Sequence, residues 1–146
     1  MNEIAKTILT AKRRRFLSSR PVFVRFAPAS EAELFRIATE MKFKFALGIA
    51  QWLRIAGYGD IDETLSFREE FFSVIDAGRL AGHVFFARDS AGNRYAFNPA
   101  DESIHYVCFP DQASARIADD FHTFLQELVR RDYKLAEWMS NISTTK

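Results

Sequence analysis

Three histidines, one cysteine and a short acidic run are the side chains whose chemistry could serve catalysis or metal binding. His105 and Cys108 lie three apart in a stretch that reads as a strand, and odd spacing sends them to opposite faces, so they cannot grip one metal. His83 opens an earlier strand. His122 sits in a helical stretch without the partner one turn away that a zinc helix needs. We expect all three histidines to be structural or surface residues. Cys108 shares a strand face with Ile104 and Tyr106 and reads as a small core hydrophobe, not a nucleophile. The run Asp60-Ile61-Asp62-Glu63 invites a calcium reading, but the third oxygen ligand, the glycine and the distal glutamate of an EF-hand do not follow at the required offsets. Gly57-x-Gly59 follows a helix, whereas a phosphate loop precedes one. No GxGxxG or GxxxxGK[ST] pattern occurs. The expectation is a protein with no catalytic residues, no cofactor and no metal.

Two features point to binding. Tyr58, beside Gly59 and Asp60, is an aromatic in a loop next to charges, a plausible contact residue. Charge is also unevenly placed in a chain whose net charge is only +1. Residues 1–20 carry Lys6, Lys12, Arg13, Arg14, Arg15 and Arg20 against Glu3 alone. Residues 60–76 carry Asp60, Asp62, Glu63, Glu69, Glu70 and Asp76 against Arg68 alone. The run Lys12-Arg13-Arg14-Arg15 lacks the aromatic or glycine interleaving of a nucleic-acid module. It reads as the charged face of a helix or as an intramolecular partner for the acidic run.

The elements that must carry these residues follow from periodicity. A chain of 146 residues is one ordinary domain and buries about 70% of its unfolded surface. Its 15 phenylalanines can fill a sizeable core. The clearest element is an antiparallel meander over residues 83–108, with strands at Val84–Ala87, Tyr95–Phe97 and Ile104–Val107, joined through Gly92 and through Asn98-Pro99-Ala100-Asp101-Glu102-Ser103. Residues 2–18 predict a basic N-terminal helix, followed by an extended Val22–Phe26. Ser30-Glu31-Ala32-Glu33 reads as a capping box opening a second helix. A third helix over 43–55 ends at Gly57. Tyr58–Asp62 reads as a loop, and 65–77 as a helix or equally a strand. A long helix is expected over 113–131 on the stripe Ile117, Phe121, Phe124, Leu125 and Leu128. A last turn over 135–139 packs through Trp138, and residues 140–146 should fray. The fold class expected from the residues is α+β. The single cysteine fits a reducing compartment, and the first residues form no secretory h-region. A cytoplasmic protein without a membrane partner is the expectation.

The residues Val84 to Asn98, with their Asp89-Ser90-Ala91-Gly92 turn, the strand Ile104–Val107 and the helix Ile117-Ala118-Asp119-Asp120-Phe121-His122-Thr123-Phe124-Leu125 resemble the SUKH superfamily. So does Trp52-Leu53-Arg54-Ile55-Ala56-Gly57-Tyr58-Gly59, a helix ending in a glycine-bearing turn. The resemblance covers about residues 30–128. The basic N-terminal segment lies outside it, and Lys44-Phe45-Ala46 stands where the family commonly shows a Leu-Pro pair. The resemblance implies an α+β fold, a twisted and mostly antiparallel sheet with its central meander at about 83–108 flanked by helices, and a binding function with no cofactor and no catalytic residues. It includes bacterial immunity proteins that block a cognate toxin, frequently a nuclease, and fungal regulators of cell-wall synthesis. A nuclease presents positive charge to phosphate, so its inhibitor gains from a negative face. The expected partner-binding set is therefore Tyr58, Asp60, Asp62 and Glu63, joined by Asp89, Asp101 and Glu102 from the meander loops. A regulatory or scaffolding protein of the same fold is the alternative. A small enzyme using Cys108 or the histidines, and a nucleic-acid binder using Lys12–Arg15, rank behind both. A homodimer is left open.

Overall fold

The computed structural model covers residues 1–146 and is α+β, with an antiparallel sheet flanked by helices. Its centre is the expected meander: β7 (Val84–Asp89), β8 (Arg94–Phe97) and β9 (Ile104–Val107). In β7 a bulge between Phe85 and Ala87 turns both Phe86 and Ala87 towards the core, while Phe85 and Arg88 face away. Numbering the other elements in chain order gives α1 (Asn2–Thr10), β1 (Lys12–Arg15), β2 (Ser18–Pro21), β3 (Phe23–Ala27), α2 (Glu31–Met41) and α3 (Leu47–Ala56). Next come β4 (Tyr58–Ile61), β5 (Leu65–Phe67), a 3₁₀ turn (Glu69–Phe71) and β6 (Ser73–Val74). After the meander stand β10 (Ser114–Ala118), α4 (Phe121–Arg130) and α5 (Leu135–Ser140). The main sheet runs β10-β9-β8-β7-β5-β4-β3, with β6 pairing β7 end to end with β5, and every pair is antiparallel. No helix is long and apolar enough to cross a membrane.

The core lies between one sheet face and the helices, and it is mostly aromatic. Trp52 of α3 packs on Phe67 of the sheet at 6.0 Å, and Phe121 of α4 packs on Phe67 at 6.0 Å and Phe86 at 5.7 Å, with Trp52 and Phe121 themselves 6.4 Å apart. Phe124 of α4 bridges Tyr95 (6.0 Å) and Trp138 of α5 (5.5 Å). Each such pair contributes about 0.5–1.5 kcal/mol beyond simple burial. α1 presses Ala5 and Ile8, both fully buried, onto this layer.

Local chemistry sets several boundaries as read. The Ser30 hydroxyl accepts from the Glu33 amide at 3.2 Å and starts α2. Gly57 ends α3 at φ +80°. Gly59 lies where strands β3 and β4 meet, and a Cβ there would fall on the Val24 carbonyl oxygen and within 2.7 Å of the Phe23 ring. Only glycine lets that pair close.

Other boundaries differ from the sequence reading, each for a tertiary reason. The N-terminal helix stops at Thr10. Residues 12–21 form a β1–β2 hairpin in place of helix, because the arginines reach carboxylates far along the chain. Tyr58–Ile61 is a strand, not a loop, paired on both sides by β3 and β5. Residues 65–77 take the extended alternative, broken by the 3₁₀ turn. The helix expected over 113–131 divides. Residues 114–118 pair with β9, and α4 begins only after Asp120, whose carboxylate accepts from the Thr123 amide at 2.8 Å. The third helix starts at Leu47, since Phe43 and Phe45 instead turn in against Phe72 and Phe97. The C-terminal end does not fray, as Thr145 exchanges two 2.8 Å backbone bonds with Ser114 and accepts from Arg79.

Candidate functional site

Two of the three histidines meet, but no cysteine or carboxylate completes a reactive or metal-binding group with them. His105 packs edge-on against His83 at 4.7 Å, and its Nε2 lies 2.8 Å from Ser103 Oγ. That hydroxyl donates to Asp101 at 2.6 Å, so the histidine nitrogen must be the donor to it. The order Asp–Ser–His is wrong for a nucleophile: the serine proton goes to the carboxylate, and Ser103 is fully buried. Burial, and then the neighbouring His83, lower the His105 pKa from 6.5 to about 4, which keeps the ring neutral. Cys108 packs partly buried against the core. No group of three His, Cys, Asp or Glu side chains is placed to hold a metal ion.

The seven residues expected to bind a partner are distributed, not gathered. Asp62 accepts two bonds from Arg13, Nε at 3.1 Å and Nη2 at 3.0 Å, with Arg20 at 3.4 Å. Glu63 is paired by Arg20 at 3.4 Å and Arg15 at 3.8 Å. The basic hairpin is thus the internal partner of this acidic turn. Asp89 closes the β7–β8 turn, accepting from the Ala91 and Asn93 amides and from the Tyr95 hydroxyl, each at 3.0 Å. Glu102 caps α3 by accepting from the Leu47 amide at 2.8 Å. Asp101 serves Ser103 and Arg116 at the same end. Asp89 and Asp101 stand at opposite ends of β8, and Asp60 lies on the sheet between strands. Tyr58 is buried. These carboxylates do not make one negative face: Asp62, Glu63, Asp89, Asp101 and Glu102 are used by a turn, a cap or an ion pair, and Asp60 lies apart on the sheet.

The sheet face turned away from the helices carries a different constellation. Cross-strand partners share a face, and the register aligns Val24, Asp60, Ser66, Arg88, Arg94 and Val107 in a single row. Three arginines along this face rest on rings. Arg68 stacks on Phe26 at 3.9 Å, Arg88 on Phe71 at 4.4 Å, and Arg94 lies between Phe109 at 4.3 Å and Phe85 at 5.2 Å. Phe26 and Phe109 are exposed. Arg68 Nε also donates to Ser66 Oγ at 3.3 Å. Burial and the charge of Arg88 pull Arg94 below its ordinary value, and as a guanidinium it stays charged. Arg88 Nε and Asp60 Oδ1 are buried without partners inside the protein. A cation fixed over a ring presents its donors in a set direction at little entropic cost, so this strip can hold carboxylates or phosphates. The sequence reading passed over it. The available signal was the alternation that sends Arg88 and Arg94 away from the core face, but alignment with Asp60 and Ser66 needs the register.

No family model, curated protein or solved structure matches the chain.

Proposed function

We propose that this chain is a non-enzymatic protein-binding module of the SUKH type, an immunity protein that binds and neutralises a cognate bacterial toxin. The observation that carries the reading is the strip of ring-mounted Arg68, Arg88 and Arg94 across the open sheet face. Arginine and aromatic side chains dominate the energetic centres of protein interfaces. Phe26 and Phe109, the rings that carry two of these arginines, are themselves exposed, so the strip offers apolar surface together with charge. On a protein partner, the groups such a strip holds are carboxylates. The toxin surface that meets it is therefore an acidic one, and not the basic groove of a nuclease that an acidic inhibitor face would seek.

The test is to look for a toxin gene beside this one and to co-express its product with the chain; the absence of any such gene overturns the immunity reading. Growth should be restored and the two chains should co-purify as a stable complex. Replacing Arg88→Glu and Arg94→Glu together should weaken the complex by on the order of a hundredfold or more and abolish protection. A toxin that kills equally with and without the chain overturns the reading.

A further inference from the structure

The most exposed large apolar side chains of the molecule sit side by side. Phe16 and Leu17 form the two-residue turn of the β1–β2 hairpin and are 97% and 89% exposed. Turn chemistry does not ask for them, since two-residue hairpin loops favour Asn-Gly and similar pairs. Neither residue has a positive φ, and neither packs on anything. The hairpin is nevertheless firmly held. Arg13 grips Asp62 in a bidentate pair, donates to Asp132 through Nη1 at 2.8 Å and reaches the Asp132 carbonyl at 2.7 Å. Lys12 and Arg14 are exposed and form no ion pair, so the apolar tip wears a basic collar.

A cavity of complementary character lies on the same chain. About 340 Å³ in volume, it is floored by Phe26, Pro28 and Tyr58 and rimmed by Glu33, Glu69 and Glu70. Arg36 takes Glu69 at 2.6 Å, and Arg68 at its edge lies on Phe26. Glu33 and Glu70 form no ion pair. Tyr58 is only 5% exposed, and its hydroxyl, buried in this lining, has no hydrogen-bond partner. Burial first, and then the charges of Glu69 and Glu33, push that hydroxyl's pKa up to about 12, so it remains a neutral donor and acceptor.

The hairpin leaves β3 at its Phe23 end, while the cavity opens beside its Phe26–Ala27 end. β3 is also the edge strand of the main sheet, with no strand beyond it. Tip and cavity thus flank one open edge at opposite ends, an arrangement in which a two-fold axis across β3 brings each tip to its mate's cavity. We propose that this chain forms a two-fold dimer in which Phe16 and Leu17 of each copy enter the Tyr58 cavity of the other, with Arg14 facing Glu33 and Glu70. Such a contact is self-complementary and closes at two copies. It blunts an edge strand that would otherwise be free to pair with any chain. The cavity shares Phe26 and Arg68 with the arginine strip, but the occupant here is a second copy of the chain and the variants below lie elsewhere, so either proposal can fail without the other.

Sedimentation equilibrium across the micromolar range tests it, with circular dichroism and thermal melting confirming that each variant folds. The wild-type chain should be dimeric. Phe16→Ser with Leu17→Ser should weaken the dimer by about a hundredfold or more, as should Arg14→Glu with Arg15→Glu, and Glu33→Lys with Glu70→Lys. Mixing the last two charge-reversed variants should restore a dimer that neither forms alone, since one of its two contacts is then native and the other has both charges exchanged. A wild-type chain that stays monomeric overturns the proposal, whether or not it pellets with phosphatidylserine vesicles. So does a dimer that survives all three double variants, or a mixture that stays monomeric.

Discussion

His105 shows what burial alone does to a titrating group. Its ring is drawn down to about 4 from an ordinary 6.5, first by desolvation and then by His83 at 4.7 Å. The folded state therefore prefers the neutral ring. The associated stability is complete above pH 6.5 and is lost as the pH falls from 6.5 towards 4. Thermal unfolding should move to lower temperature across that window, and His105→Gln should flatten the decline. Glu127, drawn down from 4.5 to about 2 by Arg130 and Arg131, adds its own loss from about pH 4.5 downward, so the upper part of the window reads His105. A variant that keeps the wild-type slope between pH 6.5 and 4 would place the origin of the decline elsewhere.

The β1–β2 hairpin is an element that exists by attachment. Four-residue strands joined by a two-residue turn are marginal alone, and Lys-Arg-Arg-Arg facing Ser-Ser-Arg-Pro offers no apolar face of its own. Its stability comes from Arg13, one-third exposed, clasping Asp62, whose side chain is 14% exposed. Pairs this sheltered are worth more than surface ones, and removing Asp62 leaves Arg13 with the more exposed Asp132 alone and Arg20 with the exposed Glu63. Asp62→Asn should therefore release the hairpin while leaving the sheet in place. Native-state hydrogen exchange reads this directly. The amides of residues 12–21 should exchange about tenfold faster or more, and those of β7, β8 and β9 should be unchanged. Equal acceleration in the meander would mean that Asp62 supports the whole fold.

For the molecule as a whole, a net charge of +1 gives no long-range field to guide a partner. Charge works here in patches. The carboxylates are spent on turns, a helix cap and the hairpin, while the strip of Arg68, Arg88 and Arg94 keeps its donors on the open sheet face. Association with an acidic partner should accordingly slow only modestly with added salt, by less than about tenfold over the physiological range. Dissociation should respond strongly to loss of the arginines. Stopped-flow measurement at several ionic strengths separates the two. A steep salt dependence of the on-rate that survives Arg88→Glu would assign recognition to another surface.

Residue types alone determined the elements whose signals are local. The meander is specified by alternation and turn residues, the start of α2 by Ser30, the end of α3 by Gly57, and the C-terminal turn by Leu135 and Trp138. Segments with two locally acceptable forms were decided by distant partners. Residues 12–15 became a strand because Arg13 meets Asp62, 49 residues on, and Asp132, 119 residues on. Residues 114–118 became a strand because β9 offered an open edge that outweighed their helical stripe. The same division holds for the candidate site. Tyr58 was expected in an exposed loop because an aromatic beside charges is a local pattern, but pairing of β4 with β3 and β5 buries it. The arginine strip was not legible, because it is built by placing β4, β5, β7 and β8 in register, and cross-strand neighbours leave no mark in linear order.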